Sequence, residues 1–144
     1  MAAGREGTGL TVLRIFIGVF FIFVGTDKWR WLFDHSALTM RLQDWLVTAG
    51  PYNRWYIEHV CLPGAPIFAR LVMLGETATG VGLVLGVWTR LVAALAFLMV
   101  ANIHFASGEF LRFEFLTNGY GLPVLGALLA LAIGGARLPL SLRK

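Results

Sequence analysis

Four apolar segments dominate the chain and restrict it to a membrane-spanning fold, at about residues 10–28, 66–88, 90–106 and 113–133. A helix rises about 1.5 Å per residue, so about 20 apolar residues cross the ~30 Å hydrocarbon core of a bilayer. With 58% hydrophobic and only 14% charged residues, the chain lacks the polar surface of a water-soluble fold. We predict an all-α fold, an integral membrane antiparallel four-helix bundle forming a single domain over residues 1–144.

The polar segment of residues 29–65 predicts a cap between the first two spans. Apolar residues recur at helical spacing after Ser36, and Gly50 with Pro51 would end such a helix, so we expect an amphipathic helix from Ser36 to Ala49. Four of the five tryptophans lie in this segment: Trp29, Trp31, Trp45 and Trp55. Indole rings favour the headgroup level of a bilayer, which predicts an interfacial helix. Packing of the tryptophans on the helix ends is the alternative.

The connections predict how the spans are arranged. The second and third spans are joined by little more than Trp88-Thr89-Arg90, so we expect a tight antiparallel hairpin. Pro123 falls inside the fourth segment, where we expect it to bend the helix. Lys and Arg are equally numerous on the two predicted sides of the membrane. We therefore rely on the basic residues of the short N- and C-terminal tails and predict cytoplasmic termini.

Charge and cysteine content exclude several functions. The net charge is +4, but the sequence contains no basic run, so nucleic-acid binding is disfavoured. Cys61 is the only cysteine, which excludes an intramolecular disulfide, a CxxC pair and a thiolate-rich metal site. The histidines, His35, His59 and His104, show no helical metal-ligand spacing, so we predict no metal site.

Glu76 lies mid-way along the second span and needs a partner, because an isolated charge at that depth costs at least ~3 kcal/mol. Arg14 lies on the first span and would reach the carboxylate directly or through water. We favour a structural clamp over a proton or ligand site for this pair. If Arg14 instead extends to its own interface, Glu76 would be protonated at neutral pH.

The faces of the helices predict close packing through glycine. On the first span one stripe places small residues between two cations: Arg14, Gly18, Phe21, Gly25 and Lys28. On the second span Gly80 lies one turn from Glu76, and Gly82 with Gly86 forms a GxxxG pair. We assign Gly18, Gly25, Gly80, Gly82 and Gly86 to helix packing.

Asn102 and His104 near the end of the third span are further candidates for a ligand site. They lie about 200° apart around a helix, so at most one should point fully into the bundle. A joint site is therefore disfavoured, and packing is the expected role of His104. The candidate intramembrane polar or ligand site comprises Arg14, Lys28, Glu76, Asn102 and His104, and the sequence names no catalytic residue.

Three stretches resemble the DoxX family. LRIFIGVFFIFVGTDKW is similar to the first helix of the family, and GETATGVGLVLGVWTR, which contains Glu76, Gly80 and Thr89-Arg90, is similar to its second. The C-terminal GGARLPLSL is similar to the glycine-rich ending of the family. The resemblance implies a four-helix protein of a bacterial or archaeal cell membrane, linked to sulfur and redox metabolism.

Some DoxX relatives are subunits of thiosulfate:quinone oxidoreductase, and others hold soluble antioxidant or sulfurtransferase enzymes at the membrane. The resemblance therefore implies an accessory or scaffold subunit, with membrane lipids and other protein subunits as partners. We expect no cofactor in the chain itself, and a quinone or a lipid is the candidate ligand. The alternative is a quinone-interacting oxidoreductase subunit in which Glu76 and Arg14 handle protons or quinone oxygens. A transporter is disfavoured because four spans leave little room for alternating halves.

Overall fold

The computed structural model describes residues 2–110 and 112–142, with side chains from residue 7 onward, and contains no β-strand among them. The helical elements follow in the order α1 (Ala2–Asp27), a 3₁₀ helix (Trp29–Leu32), α2 (Ser36–Thr48), α3 (Pro51–Tyr56), a π-helical turn (Ile57–Cys61), α4 (Ala65–Leu85), α5 (Thr89–Ser107), α6 (Phe113–Thr117) and α7 (Leu122–Gly134). An all-α fold is therefore confirmed for the described residues.

Three helices, α1, α4 and α5, are long and apolar enough to cross a membrane. Large apolar side chains point away from the protein along them, including Phe16 at 73% exposure, Phe23 at 71% and Leu98 at 63%. Exposure of this kind is typical of helix faces that contact lipid. α1 packs against α4, α4 against α5, α5 against α7, and α7 against α1.

The predicted fourth span is interrupted. α6 ends at Thr117, and α7 begins only at Leu122. The Asn118 side-chain oxygen accepts hydrogen bonds from the backbone N–H groups of Tyr120 and Gly121, at 2.7 and 2.8 Å, and this stabilises a turn between the two helices. The predicted bend at Pro123 is wrong, because Pro123 lies in the first turn of α7, where its missing N–H breaks no helical bond. With 13 residues, α7 is about 20 Å long.

The predicted helix in the cap is present as α2, from Ser36 to Thr48. Ser36 is its first helical residue, and His35 is the residue before the helix. The Asp34 carboxylate accepts hydrogen bonds from the Ser36 backbone N–H at 2.9 Å and from its hydroxyl at 2.8 Å. These bonds hold the pKa of the Asp34 carboxyl below its usual value. Leu38 and Leu42 on the buried face of α2 belong to an apolar cluster with Trp31 and Cys61.

Three glycines allow α1 and α4 to pack closely: Gly18, Gly25 and Gly80. A Cβ atom on any of them would lie within 2.8 Å of a backbone nitrogen of the facing helix, so only glycine fits. Gly82 faces α5, where an added Cβ would lie 3.3 Å from the Val92 side chain. The α1–α4 contact fixes the relative height of the two helices.

Gly86 does not belong to the packing face that the sequence predicted. It follows the last residue of α4 with φ of 68°, in the left-handed conformation that glycine adopts readily. The N–H of Val87 donates to the carbonyl of Gly82 at 2.9 Å, which is the bond of a Schellman ending. Gly86 therefore ends α4 and begins the turn into α5, and the tight hairpin predicted from the sequence is present.

Candidate functional site

A buried ion pair joins the end of α1 to the middle of α4. Lys28 Nζ lies 2.7 Å from Glu76 Oε2, and the side chains are 15% and 7% exposed. The same ammonium donates to the Val24 carbonyl at 3.0 Å and lies 5.9 Å from the centre of the Trp31 ring. Glu76 is thus charge-paired and hydrogen-bonded inside the protein, as a carboxylate at this depth requires.

The predicted pairing of Glu76 with Arg14 is wrong. Arg14 is fully buried, and its guanidinium contacts the C-terminal segment instead. Nη1 donates to Ser141 Oγ at 3.2 Å, and Nη2 donates to the Leu140 carbonyl at 3.0 Å. Arg14 therefore fastens residues 139–141 to α1, and none of its hydrogen bonds among the described residues reaches Glu76.

A cavity of about 310 Å³ lies against the ion pair, between the long helices and the cap. Lys28 and Glu76 line it, and Arg41 of α2 adds a second cation. Most of the wall is apolar, and its aromatic members include Phe20, Phe21, Trp31, Trp45 and Phe68. An apolar cavity with a few polar groups at one place is the usual form of a small-molecule site.

Asn102 and His104 both line this cavity, although the sequence disfavoured a joint site; His104 is buried and Asn102 is exposed, as expected from their angle on the helix. They share the cavity because α3 of the cap packs against α5 and covers a face that the bundle alone would leave open. The Tyr56 hydroxyl donates to Asn102 Oδ1 at 2.8 Å. His104 is 7% exposed, and its Nε2 lies 3.1 Å from the Tyr120 carbonyl, which assigns the proton to Nε2.

Four residues with reactive or polar side chains line the cavity but were not selected from the sequence: Arg41, Tyr56, Cys61 and Tyr120. Cys61 is 6% exposed, and burial raises the pKa of its thiol. Burial also raises the pKa of the Tyr56 phenol. Neither residue lies in a spacing motif, so the sequence carries no signal for them. Within residues 2–110 and 112–142, no three His, Cys, Asp or Glu side chains are grouped to hold a metal ion.

These features define a membrane protein, helical over the residues that the structure describes, with a charged pair set in the wall of an aromatic cavity. The family model for DoxX matches residues 9–108, which is 100 of the 144 residues. The chain belongs to the DoxX family, as its sequence motifs predicted. No curated protein and no solved structure matches it. The matched region contains Lys28, Glu76, Asn102 and His104, and it ends before α6, α7 and the segment that Arg14 contacts.

Proposed function

We propose that this chain is an accessory subunit of a membrane redox complex and that it holds a quinone in the cavity beside Lys28 and Glu76. The observation that carries this proposal is the cavity itself, which combines aromatic walls with charged donors at one place. Its volume of about 310 Å³ accommodates a ring with the beginning of a tail.

The chemistry of the cavity suits a quinone ring. The ring is planar and apolar, so it packs against aromatic side chains such as Trp31 and Trp45. Its carbonyl oxygens accept hydrogen bonds, which the Lys28 ammonium and the Arg41 guanidinium are able to donate. The hydrocarbon tail would extend into the lipid around α1, α4 and α5. Electrons would be delivered by a partner subunit of the complex.

The runner-up function is that of a quinone-interacting oxidoreductase subunit of the thiosulfate:quinone oxidoreductase type. The observation that favours it is that the Lys28–Glu76 pair lines the cavity directly, so the pair would supply protons to a reduced quinone. In that case Glu76→Gln would assemble normally and abolish turnover. In the accessory function the same variant would retain most of the activity of the complex.

The placement in the membrane is part of this proposal. We propose that α7, with α6, completes a bundle of four antiparallel elements, and that α2 lies at the membrane interface as a cap. The apolar composition of α7 and the exposed Val47 (81%) and Met40 (58%) of α2 support this. The proposed location is a bacterial or archaeal cell membrane with cytoplasmic termini, where lipids and other subunits surround the chain.

Quinone binding is measured by quenching of tryptophan fluorescence in the purified protein, because Trp31 and Trp45 line the cavity. We expect short-tailed ubiquinone and menaquinone analogues to quench saturably. Val72→Phe, which fills the cavity, should weaken binding about tenfold or more, a loss of about 1.4 kcal/mol. Val81→Phe is the matched control, because Val81 is 43% exposed on the same helix and does not line the cavity. Equal quenching in both variants would exclude the site.

Experiments on the purified chain distinguish the accessory function from the catalytic one. Extraction in a gentle detergent, followed by mass spectrometry of the intact particle, should recover partner subunits with this chain. A purified, partner-free chain that reduces quinone by itself would overturn the accessory function and establish the oxidoreductase function.

A further inference from the structure

A second cavity, of about 560 Å³, lies where α4 turns into α5, far along the helices from Glu76. Arg90 and Arg137 line it together with Trp88 and Ser141, and no acidic residue is among its described lining residues. Arg90 Nε donates to the Ala132 carbonyl at 3.0 Å, which fixes the guanidinium at the cavity. The cavity is therefore cationic and partly preorganised.

The backbone adds further donors to the same place. α5 begins at Thr89, which lines the cavity, and no side chain caps its N-terminus. The first N–H groups of a helix have no carbonyl partner within it, and the helix dipole is positive there. Donors from the backbone and from two arginines thus converge on one space.

Arg14 lies next to this cavity and contacts one of its lining residues, Ser141. It is fully buried, its Nε has no hydrogen-bond partner, and none of the ion pairs among the described side chains includes it. Arg14 Nη1 donates to Ser141 Oγ at 3.2 Å. Since that oxygen accepts from Arg14, the Ser141 hydroxyl still has its proton to donate, and Ser141 lines the cavity. Arg14 is not among the described residues that line the cavity, so it acts there through Ser141 and as a nearby buried positive charge.

We propose that this cavity binds the phosphate of an anionic phospholipid headgroup. Arginine forks match the oxygens of phosphate and carboxylate in bidentate geometry, which favours an oxyanion over a simple halide. A lipid source is favoured by the position at the ends of two membrane-spanning helices, next to the exposed Trp88 and Leu91, at 49% and 54%. Free phosphate would offer the same oxygens without acyl chains. This site is independent of the quinone proposal.

The test is a lipid titration of the purified full chain, followed by native mass spectrometry. Phosphatidylglycerol should bind at least tenfold more tightly than phosphatidylcholine, on the order expected for two arginines. Arg137→Gln and the double variant Arg90→Gln/Arg137→Gln should reduce this preference toward unity. Arg112→Gln is the matched control, because Arg112 is exposed and lies outside both cavities.

Because Arg90 also bonds the Ala132 carbonyl, the double variant is checked for folding by its α-helical circular dichroism, and Arg137→Gln alone carries the test if the double variant unfolds. An inorganic phosphate arm distinguishes the two sources. Failure of 10-fold excess phosphate to displace phosphatidylglycerol supports the lipid, whereas phosphate binding without a preference between the lipids overturns it. Equal preference for the two lipids in the unaltered chain, or an equal loss in Arg112→Gln, also overturns the site.

Discussion

Removing one member of the Lys28–Glu76 pair should destabilise the protein more than removing both. At 2.7 Å the attraction is roughly 6 kcal/mol at an effective dielectric constant of about 20. Desolvation of each ion costs several kcal/mol, so the pair itself adds little net stability. Glu76→Leu or Lys28→Met leaves one buried charge without its partner, which should cost about 3–5 kcal/mol. The double variant Lys28→Met/Glu76→Leu removes both charges at similar volume and should cost less than either single variant.

The assay is unfolding by increasing mole fractions of sodium dodecyl sulfate in mild detergent, followed by circular dichroism. Glu76→Gln should cost less than Glu76→Leu, because the amide oxygen still accepts a hydrogen bond from Lys28. Glu58→Leu is the control, since its ion pair with Arg54 is long, 3.6 Å, and both side chains are exposed. We expect a loss below about 1 kcal/mol there. Additive losses for Lys28→Met and Glu76→Leu would refute the reasoning.

Two further predictions follow from packing and burial. Gly80→Ala should cost about 1–3 kcal/mol in the same assay, because its Cβ would lie 2.5 Å from the Ile22 backbone nitrogen. Gly126→Ala is its control, since nothing lies within 4 Å of that Cβ, and a loss as large as that of Gly80→Ala would argue against the close contact. Burial raises the pKa of the Cys61 thiol, so alkylation by iodoacetamide should be slow at pH 7 and accelerate only above the usual thiol range near ~8.5. Val47→Cys in a Cys61→Ser chain reports the rate of an exposed thiol, and an equal rate for Cys61 at pH 7 would contradict its burial.

The membrane class and the first three long helices were predictable because they depend on the length of apolar runs. Hydropathy predicted one continuous span in the fourth segment, but local hydrogen bonding interrupts it between α6 and α7. The Asn118 side chain accepts hydrogen bonds from two backbone N–H groups and Pro123 lies in the first turn of α7, so the chain turns between two apolar helices. The Asn-Gly-Tyr-Gly sequence was a visible turn signal that the apolar run obscured.

The cavity was only partly predictable. Lys28, Glu76, Asn102 and His104 were all selected as candidates, yet their convergence depends on how the cap folds over α5. Helical periodicity describes one helix at a time, so it predicted that only one of Asn102 and His104 would be buried, but it did not predict that both would line one cavity. Because the cap covers α5, residues on two sides of that helix line the same cavity.

The partner of Glu76 follows from the register of α1 against α4, which the glycines fix. Gly18 faces Val84 and Gly25 faces Thr77. Seven residues forward along α1 therefore match seven residues back along α4, so the two helices run antiparallel. Glu76 is then level with the turn after Gly25, where Lys28 is in reach. Arg14 lies 11 residues before Gly25, about 16 Å along the axis, and meets Gly86 and the C-terminal segment. Glu76 and Arg14 therefore belong to different sites, and substitutions at the two should contribute independently to stability.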